Sequence, residues 1–481
     1  MTRNNPQISD TQPLQKTPTP IESDIISRFN GWRMKHIPEF AFTIILAFII
    51  GVLCGLGAYL FKLFISAISD LFIPHITDFK FNWWIILTPI AGILLTGIFT
   101  RYIIHTNLTH GVAQLMRDLK HRAYRLRKSL TYSSIVGGSI TLGMGGSSGA
   151  EGPIAYTGAA IGSNIGQLLR LSPDMLRILI ACGASSGIAG IFSAPVGGLM
   201  FAIELLHMQL SVNALLAATI GCLTSYLTIF TCRGFHPDLT FTPLSDYSAD
   251  IIPMVLGLGV FCGIYSIYYS HVTSHMDTYF KNITNPWKRN LYGGIMLGAI
   301  LFIFPSMFST GYPVIGNLIN GDCSALAKGS IIQHFTDSYI LLPLCAAGIL
   351  LLKCPAVAAT NCSGGVGGDF APTLFAGSMA GFIYAWLSNH LFGTSLPVGI
   401  FAFIGMSGVM GGVIEAPLMT IFITMEMTQS YKFALPLAIC TTISYLTVKL
   451  VSRLTGNRHP LVIHTRWFSH NRPEPTTNSR K

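Results

Sequence analysis

The sequence predicts an all-α membrane protein with many helices, several of them broken. Three observations carry that expectation: a composition too apolar for a soluble domain, apolar runs of spanning length, and an internal repeat interrupted at matching places by glycine and proline. The chain has 481 residues, of which 51% are hydrophobic and only 10% charged, with a mean hydropathy of +0.54. A soluble domain is about 25% charged.

The runs Phe42 to Phe61, Trp83 to Phe99, Ile252 to Tyr269, Leu291 to Phe304, Tyr339 to Leu352 and Phe433 to Leu450 are of spanning length or slightly less, since a helix needs roughly 20 residues to cross. Shorter glycine-broken runs lie between them, so well over ten membrane helices are expected, several of them incomplete crossings. Residues 1–36 are polar and basic, have no cleavable apolar core, and read as a disordered cytosolic tail. Residues 467–481 read as a second short tail, with the transmembrane domain between them at 37–466. The ten cysteines lie mostly singly in apolar segments, for example Cys54, Cys182, Cys222, Cys262 and Cys440, and form no metal-type CxxC pair. They read as small core residues, and no metal or cofactor is expected.

The formal charge of +10 reflects lysine and arginine held in cytoplasmic loops rather than a nucleic-acid surface. RDLKHRAYRLRK, Arg117 to Lys128, carries six lysines or arginines and one acid between apolar segments. It is therefore placed inside, as are both basic termini, which gives an even number of net crossings.

The repeat is visible in two pairs of segments. SGIAGIFSAPVGGLMFAIELL from Ser186 parallels SGVMGGVIEAPLMTIFITMEMT from Ser407, each with Ala-Pro and a glutamate nine residues after the proline. SSGAEGPIAYTG from Ser147 parallels SGGVGGDFAPTLFAG from Ser363. Pro153 to Pro195 is 42 residues and Pro372 to Pro417 is 45, so order and spacing are kept. The halves run from about 40 to 230 and from about 250 to 466. Repeats of this kind enclose a site near the membrane midplane, built from broken helices. Gly143 to Gly149 and Gly364 to Gly368 each open into a helix with proline in its first turn. A helix start presents unpaired N–H groups and about half a positive charge, so two facing starts make an anion site without lysine or arginine. A full charge would hold the ion too tightly for conduction.

These residues resemble the CLC family of chloride channels and chloride/proton exchangers. GAEGP at Gly149 is similar to that family's GREGP, GGDFAP at Gly367 to GGIFAP, and THGVA at Thr109 to GSGIP, while the segments from Ala194 and Ala416 match the helices that follow. The resemblance runs from about residue 40 to 466. It implies a CLC-type inverted-repeat helical bundle with many tilted and broken helices, in a homodimer with one anion pathway per subunit. It implies that Glu151 is a protonatable gate, that Gly149, Ala150 and Gly152 border the anion at the first helix start, and that the backbone amides of Asp369 and Phe370 line the central anion position. His110 stands at the GSGIP serine, and His464 or Val462 at the family's pore tyrosine.

Several positions depart from the family pattern. Ala150 replaces the arginine of GREGP and Ala113 the proline of GSGIP. Asp369 replaces an apolar residue, and its carboxylate is expected either to cap the helix or to point away from the ion. Leu205 replaces the second of two successive glutamates, the one that relays protons inward. Glu204 and Glu426 are related by the repeat and are expected to be structural, paired with backbone donors. The implied function is passive or weakly coupled chloride movement, with proton-coupled chloride exchange as the alternative and a fluoride exchanger as a further one. The partners are then chloride, protons, membrane lipid and a second copy, in a bacterial inner membrane. No enzyme is expected, because GxxxxGK[ST] and HExxH are absent and no strand-loop-helix unit surrounds the glycine-rich GMGGSSG at Gly143.

Overall fold

The computed structural model describes residues 20–77, 84–105, 111–120, 124–234, 247–327, 329–330 and 341–455. After α1 (Pro20–His36), the first half comprises α2 (Glu39–Thr77), α3 (Trp84–Ile98), α4 (Gly111–Lys120), α5 (Leu130–Gly143), α6 (Glu151–Leu168), α7 (Pro173–Phe192), α8 (Pro195–Met200) and α9 (Val212–Cys232). The second half comprises α10 (Ile252–Asn282), α11 (Pro286–Ile303), α12 (Tyr312–Ile319), α13 (Leu341–Asn361), α14 (Phe370–Leu391), α15 (Val398–Ile414), α16 (Pro417–Thr428) and α17 (Ala434–Leu454). Two helices end in π-helical turns, α3 through Phe99–Ile104 and α8 through Phe201–Leu205.

The described residues of the six expected apolar runs fall almost wholly in helices, chiefly α2, α3, α10, α11, α13 and α17. Among the described residues eight helices are long and apolar enough to cross a membrane. Two of these, α7 and α14, are rich in glycine and alanine, and their apolar windows are 89% and 83% buried, against 44% for α2 and 33% for α17. Small side chains therefore mark the protein's own core, and large ones its outer face. At the crossing of α6 with α7, a Cβ added to Gly158 would run into the carbonyl oxygen of Gly183. The repeat-related crossing of α14 with α15 has the same relation between Gly377 and Gly405.

The duplication extends through the whole packing scheme. In the first half α2 packs on α7 and α9, and in the second α10 packs on α15 and α17. Across the halves, equivalent elements meet: α3 packs on α11 and α8 on α16. Helix starts are set by local chemistry. Ser172, Ser211 and Asn285 accept N-cap bonds from Met175 (3.3 Å), Ala214 (3.2 Å) and Trp287 (2.9 Å), and proline begins α7, α8, α11 and α16. The breaks before α8 and α16 are alike, since Ser193 (φ 55°) and Glu415 (φ 59°) both end the preceding helix in the left-handed conformation.

One expectation is corrected. The segment 1–36, expected as a disordered tail, contains α1, and that helix docks on the bundle. Asn30 Nδ2 donates to the Leu169 carbonyl at 2.9 Å, and the Arg33 guanidinium lies 4.1 Å from the Phe42 ring. The polar composition hid a helix whose aromatic and cationic side chains pack along one side, where the Trp32 and His36 rings stack at 5.1 Å. The basic segment Arg117 to Lys128 begins as the last turn of α4 and continues at 124–129 as a loop. Asp118 ties α4 to α6 by accepting from Tyr156 Oη at 2.8 Å.

Candidate functional site

Two loops, one before α6 and one before α14, meet as mirror partners in sequence. With Pro153 aligned to Pro372, each position in the first loop corresponds to one 219 positions later. Gly145 (φ 97°) and its counterpart Gly364 (φ 124°) both turn through the left-handed region that favours glycine. The next residues, Gly146 and Gly365, donate back to the carbonyls of Thr141 (2.8 Å) and Thr360 (3.0 Å). The loops then cross-link reciprocally. Val366 N–H donates to Thr141 Oγ1 at 3.0 Å, and Ser147 N–H donates to Thr360 Oγ1 at 3.1 Å. Gly149 and Gly368 exchange a pair of antiparallel backbone bonds, 2.9 and 2.8 Å long. These swaps join equivalent residues, so a local two-fold axis passes between the two loops.

The axis brings the starts of α6 and α14 together, and Glu151 bridges them. Its side chain is 1% exposed. Oε1 accepts from Phe370 N–H at 2.6 Å and from Ala371 N–H at 3.3 Å, while Oε2 is buried with no hydrogen-bond partner among the described residues. The carboxylate of one repeat thus occupies the anion position at the N-terminus of the other repeat's helix. Glycine makes the room. A Cβ on Gly149 would collide with both carboxylate oxygens, and one on Gly368 would lie 2.6 Å from Oε1. Gly152 lies against the Gly367–Gly368 backbone, 3.2 Å from a carbonyl oxygen by the same measure. Ala150 is buried and adds no polar group.

Asp369 immediately precedes α14 and makes no side-chain cap bond there. Its Oδ1 instead accepts from Asn361 Nδ2 at 3.3 Å and from Tyr269 Oη at 3.4 Å, so of the two expected arrangements the cap is the one not formed. Asn361 is held in turn by Ser148 Oγ, which donates to its Oδ1 at 2.7 Å. The backbone amides that reach Glu151 belong to Phe370 and Ala371. Ala371 was not singled out in the sequence, although its place in the first helical turn was the available signal.

A second reciprocal pair lies at the starts of α8 and α16. Glu204 accepts from the N–H groups of Leu418 (3.3 Å) and Met419 (2.8 Å), and Glu426 accepts from those of Val196 (3.1 Å) and Gly197 (2.8 Å). Each glutamate caps the helix that begins in the other repeat, consistent with the structural reading of both. Leu205 follows Glu204 at the end of the π-helical turn and is fully buried. It borders a cavity of about 240 Å³ whose lining also includes Arg117, Lys120, Arg177 and His207.

Lys353 is a further residue that the sequence reading passed over. It is fully buried in α13, donates to Ser147 Oγ at 2.8 Å, and lies 4.5 Å from the Phe375 ring. A single lysine inside the apolar run of α13 was the signal. His110, Val462 and His464 lie outside the described residues. Among the described residues no group of histidine, cysteine or acidic side chains is arranged to hold a metal.

A duplicated, all-helical membrane protein with two helix starts turned toward one buried anion position is the class that this geometry defines. The chain belongs to the voltage gated chloride channel family, whose model matches residues 92–449. It is 28% identical over 374 residues to a protein of Ralstonia nicotianae named as a ClcB-like chloride channel protein, across 76% of this chain and 82% of that one. It is 28% identical over 312 residues to the H+/Cl− exchange transporter ClcA of Vibrio cholerae, a match that spans 63% of each, less than two thirds of that relative. The crystal structure of a slow cyanobacterial Cl−/H+ antiporter superposes with a TM-score of 0.70 at 23% identity, covering 89% of this chain and 99% of that one, and so shares the fold.

Proposed function

We propose that the protein moves chloride across a membrane through one pathway in each subunit of a homodimer, and that Glu151 is the gate of that pathway. The observation that carries this reading is the Glu151 carboxylate on the amides of Phe370 and Ala371, a tethered anion in the place a free one would take. Protonation removes its charge and with it the reason to stay, so chloride can replace it. Gly149, Ala150, Gly152, Asp369 and Phe370 border the ion in this reading, and His110 and His464 complete its coordination from outside the described residues. The chain is an integral membrane protein. We assign its basic Arg117 to Lys128 segment and both termini to the cytoplasmic side of a bacterial inner membrane, with residues 37–466 forming the transport domain.

The test is chloride efflux from liposomes carrying the purified full chain. Wild type is expected to release chloride, with E151Q flux less dependent on pH. A chain that carries no chloride, or an E151Q variant with an unchanged pH profile, refutes the proposal. A second reading, stoichiometric exchange of chloride for protons, is favoured by the bare Oε2 of Glu151, a ready position for a proton. The name of the Vibrio cholerae relative supports it too. The apolar, buried Leu205 supports passive movement instead. A flux comparison across halides tests the fluoride alternative.

A further inference from the structure

The exchange reading needs a source for the proton on Glu151, and Leu205 cannot hold one. We propose that Asp369 is the group with which Glu151 exchanges its proton, so that chloride movement remains coupled to protons; this rests on the chloride pathway proposed above and deepens its exchange reading.

The placement is the first argument. Glu151 Oε1 lies 2.6 Å from Phe370 N and 2.6 Å from the position a Cβ on Gly368 would take, so it touches the chain on both sides of Asp369. The second is that Asp369 does none of the work that ordinarily keeps a carboxylate at such a place. It does not cap α14, and among the described residues no lysine or arginine pairs with it. Its two hydrogen bonds, from Tyr269 and Asn361, are long at 3.4 and 3.3 Å. A carboxylate kept at membrane depth without a cation or a cap is expensive and marks function. The third is the receiving atom. Glu151 Oε2 is buried and without a hydrogen-bond partner among the described residues, which leaves a lone pair to take a proton.

The groups around the two acids do not compete for this role. Tyr269 on α10 and Asn361 at the end of α13 donate to Asp369. Tyr312 on α12 lies within electrostatic reach of Glu151, and Cys354 on α13 and Cys362 just after it within reach of Asp369, but none of the three is a carboxylate. Lys353 on α13 is engaged by Ser147. The step balances simply. The O–H bond on Asp369 breaks, an O–H bond on Glu151 Oε2 forms, directly or through one water, and the Asp369 carboxylate regains a proton passed from bulk solution along water. Glu151, now neutral, leaves the amides of Phe370 and Ala371 to chloride.

The experiment uses the full-length protein in phosphatidylethanolamine/phosphatidylglycerol liposomes, with a chloride gradient, a chloride electrode and a pH electrode. Wild type is expected to drive protons uphill. D369N, checked for wild-type elution, is expected to lower the proton-to-chloride ratio by about tenfold or more, the scale of losing a positioned acid. D369E restores the protons, and Y269F, which leaves the carboxylate in place, lowers the proton-to-chloride ratio less than D369N does. An unchanged ratio in D369N overturns the inference. Where D369N does not fold, D369S takes its place with the same outcomes. Wild type that carries chloride and no protons also overturns the inference while leaving the chloride pathway standing, whereas absence of chloride flux refutes the pathway itself.

Discussion

Gly149→Ala is the sharpest perturbation of the gate. Gly149 does not occupy the left-handed region, so alanine fits the backbone, and its bridge to Gly368 uses only main-chain atoms. The new methyl group, however, would overlap both oxygens of Glu151, and the carboxylate must leave. What it loses can be estimated from its bonds. One is short and charge-assisted at 2.6 Å and the other is stretched to 3.3 Å. A hydrogen bond to a charged group contributes about 1.5–3 kcal/mol and the helix start up to roughly 1 kcal/mol, so about 2–3 kcal/mol is lost overall. At 1.4 kcal/mol per tenfold, the open fraction should rise roughly 30- to 140-fold, until the pathway is saturated. Chloride efflux from liposomes at neutral pH reads this directly, with the double variant G149A/E151A as the control, because perturbations acting through one group are not additive. G149A should open the pathway, and the double variant should be no faster than E151A alone. A G149A protein as slow as wild type would refute the reasoning. So would a double variant much faster than E151A, since the methyl group would then act on the pore wall rather than on the carboxylate.

Chloride flux should rise as pH falls, because a protonated Glu151 no longer competes for the amides of Phe370 and Ala371; a profile equally steep in E151Q would contradict this. E204Q and E426Q should each destabilise the protein by about 1.5–3 kcal/mol through a weakened cap, seen as lower melting temperatures in detergent, and flux per folded protein should be kept. Flux lost without a stability change would give these glutamates a transport role. G158A and G377A should both abolish recovery of folded protein, because each methyl group would meet a backbone carbonyl in a helix crossing that cannot open without separating α6 from α7 or α14 from α15; normal yield and elution of either would show that the crossing is softer than its geometry indicates.

The parts of this molecule legible in the sequence were those that leave a local mark. Pro153 and Pro372 announced helix starts, the Ala-Pro pairs announced the breaks before α8 and α16, and a lone glutamate among glycines announced the carboxylate that joins the starts of α6 and α14. The pairing of Glu204 and Glu426 with backbone donors was also expected, but not whose donors. Each carboxylate caps a helix more than two hundred residues away, and no short-range pattern records such a partner. A separation of 206 residues likewise hid the Lys353–Ser147 bond, and one of 100 the bond from Tyr269 to Asp369. α1 was missed for the opposite reason, since a polar composition was read as disorder although Asn30 and Arg33 reach the bundle and dock the helix on it.

The exchange of bonds between Gly149 and Gly368 has one further consequence. The backbone bonds between the two loops are made twice, but the side chains are unequal: Ser148, Ala150 and Glu151 of the first repeat stand where the second carries Gly367, Asp369 and Phe370. A perfectly two-fold pore would be indifferent to which side an ion came from. Unequal side chains remove that indifference and give a symmetric backbone frame two different sides.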